Sequence, residues 1–528
     1  MSRLFLDYCA GADTARPFFG SRSFGSLSAG TGWMERPPLP AHWPELAELV
    51  AAQNQQPVSA PALDALRSDA GTVVTGQQVG LFGGPLLTAL KAATAVARAR
   101  RATAAGKPHV ALFWLASEDH DFAEISSVSI PAANELAALS YGAAPSAPLP
   151  VGRVELDDSI LRLIDRVREL VEPSEALEAL AEAYQPGRTF AQAFADFYSR
   201  VFGAQGLLIV DASSREFHRL GAAVLRAALE RADELHGALV ERNRALEAAG
   251  YHAQVALPPQ SSLLFLIDAK TGARQALRRM APSADEPQGL WRAGGQRFST
   301  AELAGILEAE PERISPSALL RPVFQDYLLG SSLVVGGPAE IAYFAQSDVL
   351  YERVLGLGRG TASAPRLFAT LIEPATAELL RRHSLTPEGV MAETGESLAR
   401  RLAQRSMPPE TKARLDATSG ALEAELDALV AWMQAQDRGL GQSAETAASK
   451  MRYQMGRLRA LALKFQLQRE GAFTRQAQSI CQAIAPGGVP QERVHAAVYY
   501  FARYGLDLAE VFCEQAAICN PGHAVLWL

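Results

Sequence analysis

Four consecutive pieces of sequence decide the fold: TVV (72–74), GQQVGLFGGP (76–85), LLTALKAATAVARARRATAAG (86–106) and HVALFWLA (109–116). A β-branched run, a glycine-rich loop, an alanine-rich helical stretch and a second apolar run of strand length predict a β-α-β unit. Such units cross over right-handed and build parallel sheets covered by helices. Two further apolar runs, GLLIVD (206–211) and SSLVVGG (331–337), also lead into helical sequence, the first of them over 213–249. The expected fold class is α/β: a Rossmann-like, doubly wound parallel core with inserted segments over 71–375, plus an α-helical coiled-coil domain.

Inside that core, SLLFLIDAKTGARQALRRM (262–280) reads as strand, turn and strand. GLWRAGGQRFS (289–299) repeats the pattern about Gly294 and Gly295, so a small antiparallel β insertion is expected near 255–300. Ser299 and Glu302 have capping-box spacing for a helix running to about Glu308. The proline-rich first 70 residues, with one helical patch at 43–53, are expected to wrap the core. After Pro374 the chain reads as helices. Leu415, Leu422 and Leu429 recur every seven residues, while Met451, Met455, Leu458, Ala462 and Phe465 alternate fours and threes. These predict a helical hairpin within a coiled-coil arm over 376–470, turning near Gly439 and Gly441 and serving as a dimer contact, with 471–528 packing back on the core.

At 528 residues the chain exceeds the length at which one core stops growing. Its 48% apolar and 20% charged residues are globular values. Fifty Lys and Arg against 57 Asp and Glu give a net charge of -7, which supplies no basic field for nucleic acid or anionic lipid and makes small molecules the default partners. Cys9, Cys481, Cys513 and Cys519 form no CxxC pair and no zinc-ligand spacing, as expected for a reducing cytoplasm. No apolar window reaches the ~18 residues of a membrane span.

Three regions carry candidate chemistry. The loop at 76–85 sits where open α/β sheets bind ligands, and its glycines Gly76, Gly80, Gly83 and Gly84 let backbone amides approach an anion. Gln77 and Gln78 add side-chain donors and acceptors, and Lys91 follows on the helix. SEDHDFAEI (117–125) gathers Glu118, Asp119, His120, Asp121 and Glu124 at the same edge. Such a cluster suits an ammonium ligand, a magnesium ion near Asp119 and Asp121, or a general base with a raised pKa. Gly336, Gly337 and Glu340 form a second strand-to-helix turn, with Arg321 and Gln325 one helical turn apart just upstream and Asp211 at the end of another strand. Ser449-Lys450-Met451 and the arginines 381, 382, 400, 401 and 405 read as helix surface, and Cys513 and Cys519 as structural thiols rather than reactive ones.

TGQQVGLFGGPLLTALK, FWLASEDHDFAEI, RPVFQDYLLGSSLVVGGPAEIAYFAQ and the terminal PQERVHAAVYYFARYG, in this order, closely resemble the bacillithiol biosynthesis cysteine-adding enzymes, the cysteine ligase family BshC. The resemblance covers essentially the whole chain. It implies a Rossmann-like core related to class I aminoacyl-tRNA synthetases, a coiled-coil domain and a homodimer. It also implies ligation of L-cysteine to the amine of glucosaminyl-malate, with ATP as the expected activator. Ser117 and Ala339 stand where many members have Gly, and the HxGH and signature-lysine motifs of the synthetases are absent. A nucleotidyl transferase of the same fold and a noncatalytic partner protein are the alternatives.

Overall fold

The computed structural model describes all residues except 1, 20–30, 133–134, 143, 281–289, 359, 470 and 519–521, so Cys519 and the start of the 289–299 repeat lie outside it. The chain divides into two compact units. One comprises Met1–Ile130, Ala137–Ala369 and Glu492–Ala524, the other Pro131–Leu136, Thr370–Gln491 and Val525–Leu528.

The first unit is built on five parallel strands: β1 (Gly71–Gln77), β2 (His109–Leu115), β3 (Leu207–Val210), β4 (Ser331–Gly336) and β5 (Ala362–Pro365). β2 is buried at every position, as its unbroken apolar run requires of a strand covered on both faces. The order is β3-β2-β1-β4-β5. The chain therefore moves outward from β1 through β3 and returns on the other side of β1 with β4. That reversal opens a crevice beyond the carboxyl ends of β1 and β4. Helix α1 (Leu86–Ala104) packs on the sheet through buried alanines that let it approach closely, and α2 (Arg321–Leu329) and α3 (Pro338–Leu355) flank β4.

The helical stretch expected over 213–249 is three helices, Arg215–Leu220, Ala222–Glu230 and Ala232–Ala248. The first break falls at Gly221, which packs so closely that a Cβ there would lie 2.1 Å from the Phe324 ring. The antiparallel insertion is present. Its strand Ser261–Ile267 pairs with both Arg274–Arg279 and Ile314–Pro316, and the sheet continues through Trp291–Ala293 to Gln296–Phe298. Ser299 and Glu302 close a capping box on the helix Thr300–Ala309.

In the second unit, Leu380, Leu398, Leu402, Phe473, Ile480 and Ile484 form the core. The segment expected to return to the sheet as one piece is thus split: Ala472–Ile484 packs here, and Glu492–Ala524 belongs to the first unit. Helices α4 (Pro409–Gln436) and α5 (Arg438–Arg469) form the hairpin. It turns at Asp437, near the expected glycines and two residues before Gly439, and the Asp437 carboxylate accepts the Leu440 N–H at 2.9 Å. Gly441 lies inside α5, packed so closely that a Cβ there would come within 2.7 Å of Gln434. Among the described residues no helix is long and apolar enough to cross a membrane.

Candidate functional site

At the crevice where strand order reverses lies a cleft of about 340 Å³. Gly76, Gln77 and Gln78 line it from the end of β1, Lys91 from α1, and Gly337 and Glu340 from the start of α3. Asp119 and Glu124 after β2, Arg321 and Gln325 on α2, and Arg366 and Arg493 complete the polar wall, with Trp114, Tyr343 and Phe344 as aromatic surface.

The glycine-rich loop serves two purposes. Its first three residues face the cleft, whereas Gly80, Gly83 and Gly84 turn into the protein. The Gly83 N–H donates to the Tyr184 hydroxyl at 2.9 Å, that hydroxyl donates to the Gly80 carbonyl at 3.1 Å, and Tyr198 donates to the Gly83 carbonyl at 3.0 Å. Those groups are spent on packing and leave nothing for a ligand.

Lys91 is buried and fully engaged. Its ammonium donates to the Gly76 carbonyl at 2.7 Å and Gln77 Oε1 at 2.8 Å, and pairs with Glu340 at 2.5 Å. Burial pushes its pKa below the ordinary value against the pull of Glu340. Glu340 also accepts the Gly337 N–H at 2.7 Å, so the carboxylate of α3 itself occupies this helix N-terminus. Gly336 packs beneath, where a Cβ would sit 3.1 Å from that of Glu340.

The acidic segment disperses. Glu118 points away from the cleft and pairs with the buried His218, Nε2 to Oε1 2.9 Å. The other His218 nitrogen donates to the carbonyls of Ile314 at 2.9 Å and Pro311 at 3.1 Å. Burial disfavours both charges, yet their attraction wins: the Glu118 pKa is lowered and that of His218 raised. Asp119 faces the cleft, where Arg321 grips both its oxygens and Gln78 adds a hydrogen bond. These partners overcome burial and hold its pKa below the usual carboxylate range. His120 lies outside the cleft beside Arg274, and Asp121 is an exposed cap accepting the Glu124 N–H at 3.2 Å. Asp211 lies outside the cleft lining and closes a turn after β3, accepting the Ser117 hydroxyl at 2.6 Å and the Ser213 N–H at 3.1 Å.

Asp119 and Asp121 do not converge on one magnesium ion, because the first faces the cleft in the grip of Arg321 and the second is an exposed helix cap outside the cleft lining. Among the described residues no three His, Cys, Asp or Glu side chains gather in a way that could hold a metal ion. Arg366 is buried against Glu492 in a two-pronged pair, 2.9 and 2.5 Å. Arg493, the next residue, stands exposed at the cleft with no ion-pair partner among the described residues. Sequence reasoning missed Arg274, His218, Arg366 and Arg493 as site residues; Arg274 lay in the 262–280 stretch read only as strand and turn, and Arg493 in the PQERV run.

The comparisons with known proteins fit this architecture. The model of the bacillithiol biosynthesis BshC N-terminal Rossmann-like domain matches residues 1–355, and that of the BshC C-terminal coiled-coil domain matches 369–528. A protein of Koribacter versatilis named "Putative cysteine ligase BshC" is 38% identical over 99% of this chain and 97% of its own length. Proteins with the same name from Salinibacter ruber and from a strain of Thermus thermophilus are 30% and 32% identical, over 99% and 93% of this chain and 96% and 95% of theirs. With both of its domains matched and relatives alike over nearly their full length, the chain belongs to the BshC family of bacillithiol biosynthesis.

Proposed function

We propose that this chain is a cysteine ligase that joins L-cysteine to the amine of glucosaminyl-malate in the cleft between β1 and β4, the last step in making bacillithiol. In this reading ATP activates the cysteine carboxylate. The amine nitrogen then attacks the carbonyl carbon, the new C–N bond forms as the C–O bond to the phosphoryl or nucleotidyl group breaks, that group leaves with the electron pair, and the amine gives up a proton.

The observation that carries the reading is the charge pattern of the cleft. Lys91, Arg321 and Arg366 are each paired with a fixed carboxylate, which leaves the Arg493 guanidinium and the Glu124 carboxylate as the cleft charges without an ion-pair partner among the described residues. A planar guanidinium in that position suits a carboxylate or phosphate on the ligand. Asp119, facing the same cleft, suits an amine or ammonium. The test is mass spectrometry of product from protein, cysteine, glucosaminyl-malate and ATP, omitting each in turn. Product only in the complete mixture is the expected result; product without cysteine dependence would favour nucleotidyl transfer, and no product with no ligand binding would favour a noncatalytic partner.

The proposal extends to assembly. Leu429, Trp432, Leu458 and Phe465 on the hairpin are 49%, 59%, 55% and 65% exposed, apolar surface that a second copy would cover in a homodimer. Trp432→Glu with Phe465→Glu should convert a dimer to a monomer in sedimentation; a wild-type monomer would refute this part.

A further inference from the structure

Arg274 is a buried arginine at the first position of an insertion strand, and it does not line the cleft. Its guanidinium lies 3.7 Å over the Phe265 ring. Nε donates to Ser315 Oγ at 3.1 Å and one terminal nitrogen donates to the Pro316 carbonyl at 3.1 Å. Those contacts fix three sides of the group on the insertion itself. The remaining nitrogen, Nη1, points at the segment after β2, 3.3 Å from His120 Nδ1 and 3.8 Å from Asp119 Oδ1.

We propose that Arg274 is a positioning residue, through which the antiparallel insertion sets the placement of Asp119 and the tautomer of His120. This rests on the ligase reading above, because it assigns Asp119 to substrate amine recognition. A guanidinium has only donors, so the His120 nitrogen facing it must be the bare acceptor. The imidazole is then neutral, with its proton on Nε2. In that form His120 offers a hydrogen bond from Nε2 and has no free basic nitrogen, which argues against it as the base that removes the amine proton. Asp119 is held between two guanidiniums on different elements, Arg321 in front and Arg274 behind, so its orientation is fixed before a ligand arrives. Burial lowers the Arg274 pKa to about 10, which leaves it charged at neutral pH.

The experiment uses the full chain with Arg274→Lys and Arg274→Ala, folding being checked by thermal unfolding. Loss of a partner that orients a reacting group costs on the order of 10–100-fold. We expect the kcat for ligation to fall by that order while the KM for cysteine stays within about threefold, with partial recovery in Arg274→Lys and on adding millimolar guanidinium to Arg274→Ala. The second readout is side-chain nitrogen NMR of 15N-histidine protein, with the His120 signals assigned by their loss in His120→Gln. The wild type should show His120 as the Nε2–H tautomer, and Arg274→Ala should shift it toward a mixture. Wild-type kcat in Arg274→Ala, or a His120 signal unchanged by the substitution, would overturn the proposal. The NMR arm needs no turnover, so a protein that lacks ligase activity altogether would refute the proposed function and still leave this inference separately decided.

Discussion

Two glycine-proline turns leave neighbouring strands of the same sheet, and they treat their amides differently. After β1, Gly83 and Gly84 adopt left-handed φ of 83° and 72° and are locked to Tyr184, Tyr198 and the Ala497 N–H. After β4, Gly337 has an ordinary φ of −79° and lies at the cleft, with its N–H taken by Glu340. The longer, more glycine-rich loop is thus mainly a packing device. The shorter one belongs to the cleft, though as a prepaired Lys91–Glu340 unit rather than an open anion hole. Glycine content signals backbone freedom; which amides remain unspent decides what a ligand can use.

Substitutions can break this contrast, the largest effect being expected in the first turn. Gly83→Ala adds a Cβ 2.8 Å from the Phe197 ring at a left-handed position, so stability should fall by about 4 kcal/mol in urea unfolding. Gly337→Ala meets Glu340 at 3.3 Å and Arg366 at 3.9 Å, and serves as the mild counterpart. Next, Glu118→Gln should cost about 3 kcal/mol by breaking the buried pair with His218. That loss depends on pH. Glu118 has a lowered folded pKa, so its contribution disappears as pH falls below the ordinary 4.5 and through the folded value. His218 has a raised one, so its contribution is full below 6.5 and lost as pH rises through the raised value. The gap in melting temperature between wild type and variant should therefore peak between pH 4.5 and 6.5 and narrow on both sides.

For the second turn, Glu340→Gln should cost about 2–3 kcal/mol, more than Lys91→Met. The first leaves a buried ammonium without a counter-charge, whereas the second leaves a carboxylate that is 25% exposed. Equal losses in calorimetry would contradict that asymmetry. Tyr198→Phe removes one hydroxyl from the Gly83 carbonyl and should cost about 1 kcal/mol.

Four strands of the parallel sheet were legible because strands covered on both faces write continuous apolar runs. β5 was not: its sequence is ASAP, in which only edge position and pairing with β4 make a strand. The hairpin turn was legible to within a few residues, falling at Asp437 near Gly439, while Gly441 is a close-packing point between the helices. At the site, sequence located the edge and named Asp119, Lys91, Arg321 and Glu340, but the sorting of 118–121 was invisible. Whether an acid faces a cleft, a buried histidine or solvent depends on partners such as His218 and Arg274, about 100 and 150 residues away and unmarked by any spacing. An arginine in a strand that also carries Arg278 and Arg279, such as Arg274, reads as surface until the fold turns it inward.

The most direct measurement sets Asp119→Asn beside Asp121→Asn in the ligation assay. Asn keeps the cap at 121, so that variant should stay within about threefold of wild type. At 119 it removes the charge facing the cleft, and kcat/KM should fall by about 100-fold or more. Equal loss in both variants, or a fully active Asp119→Asn, would contradict a reaction centred on the cleft between β1 and β4.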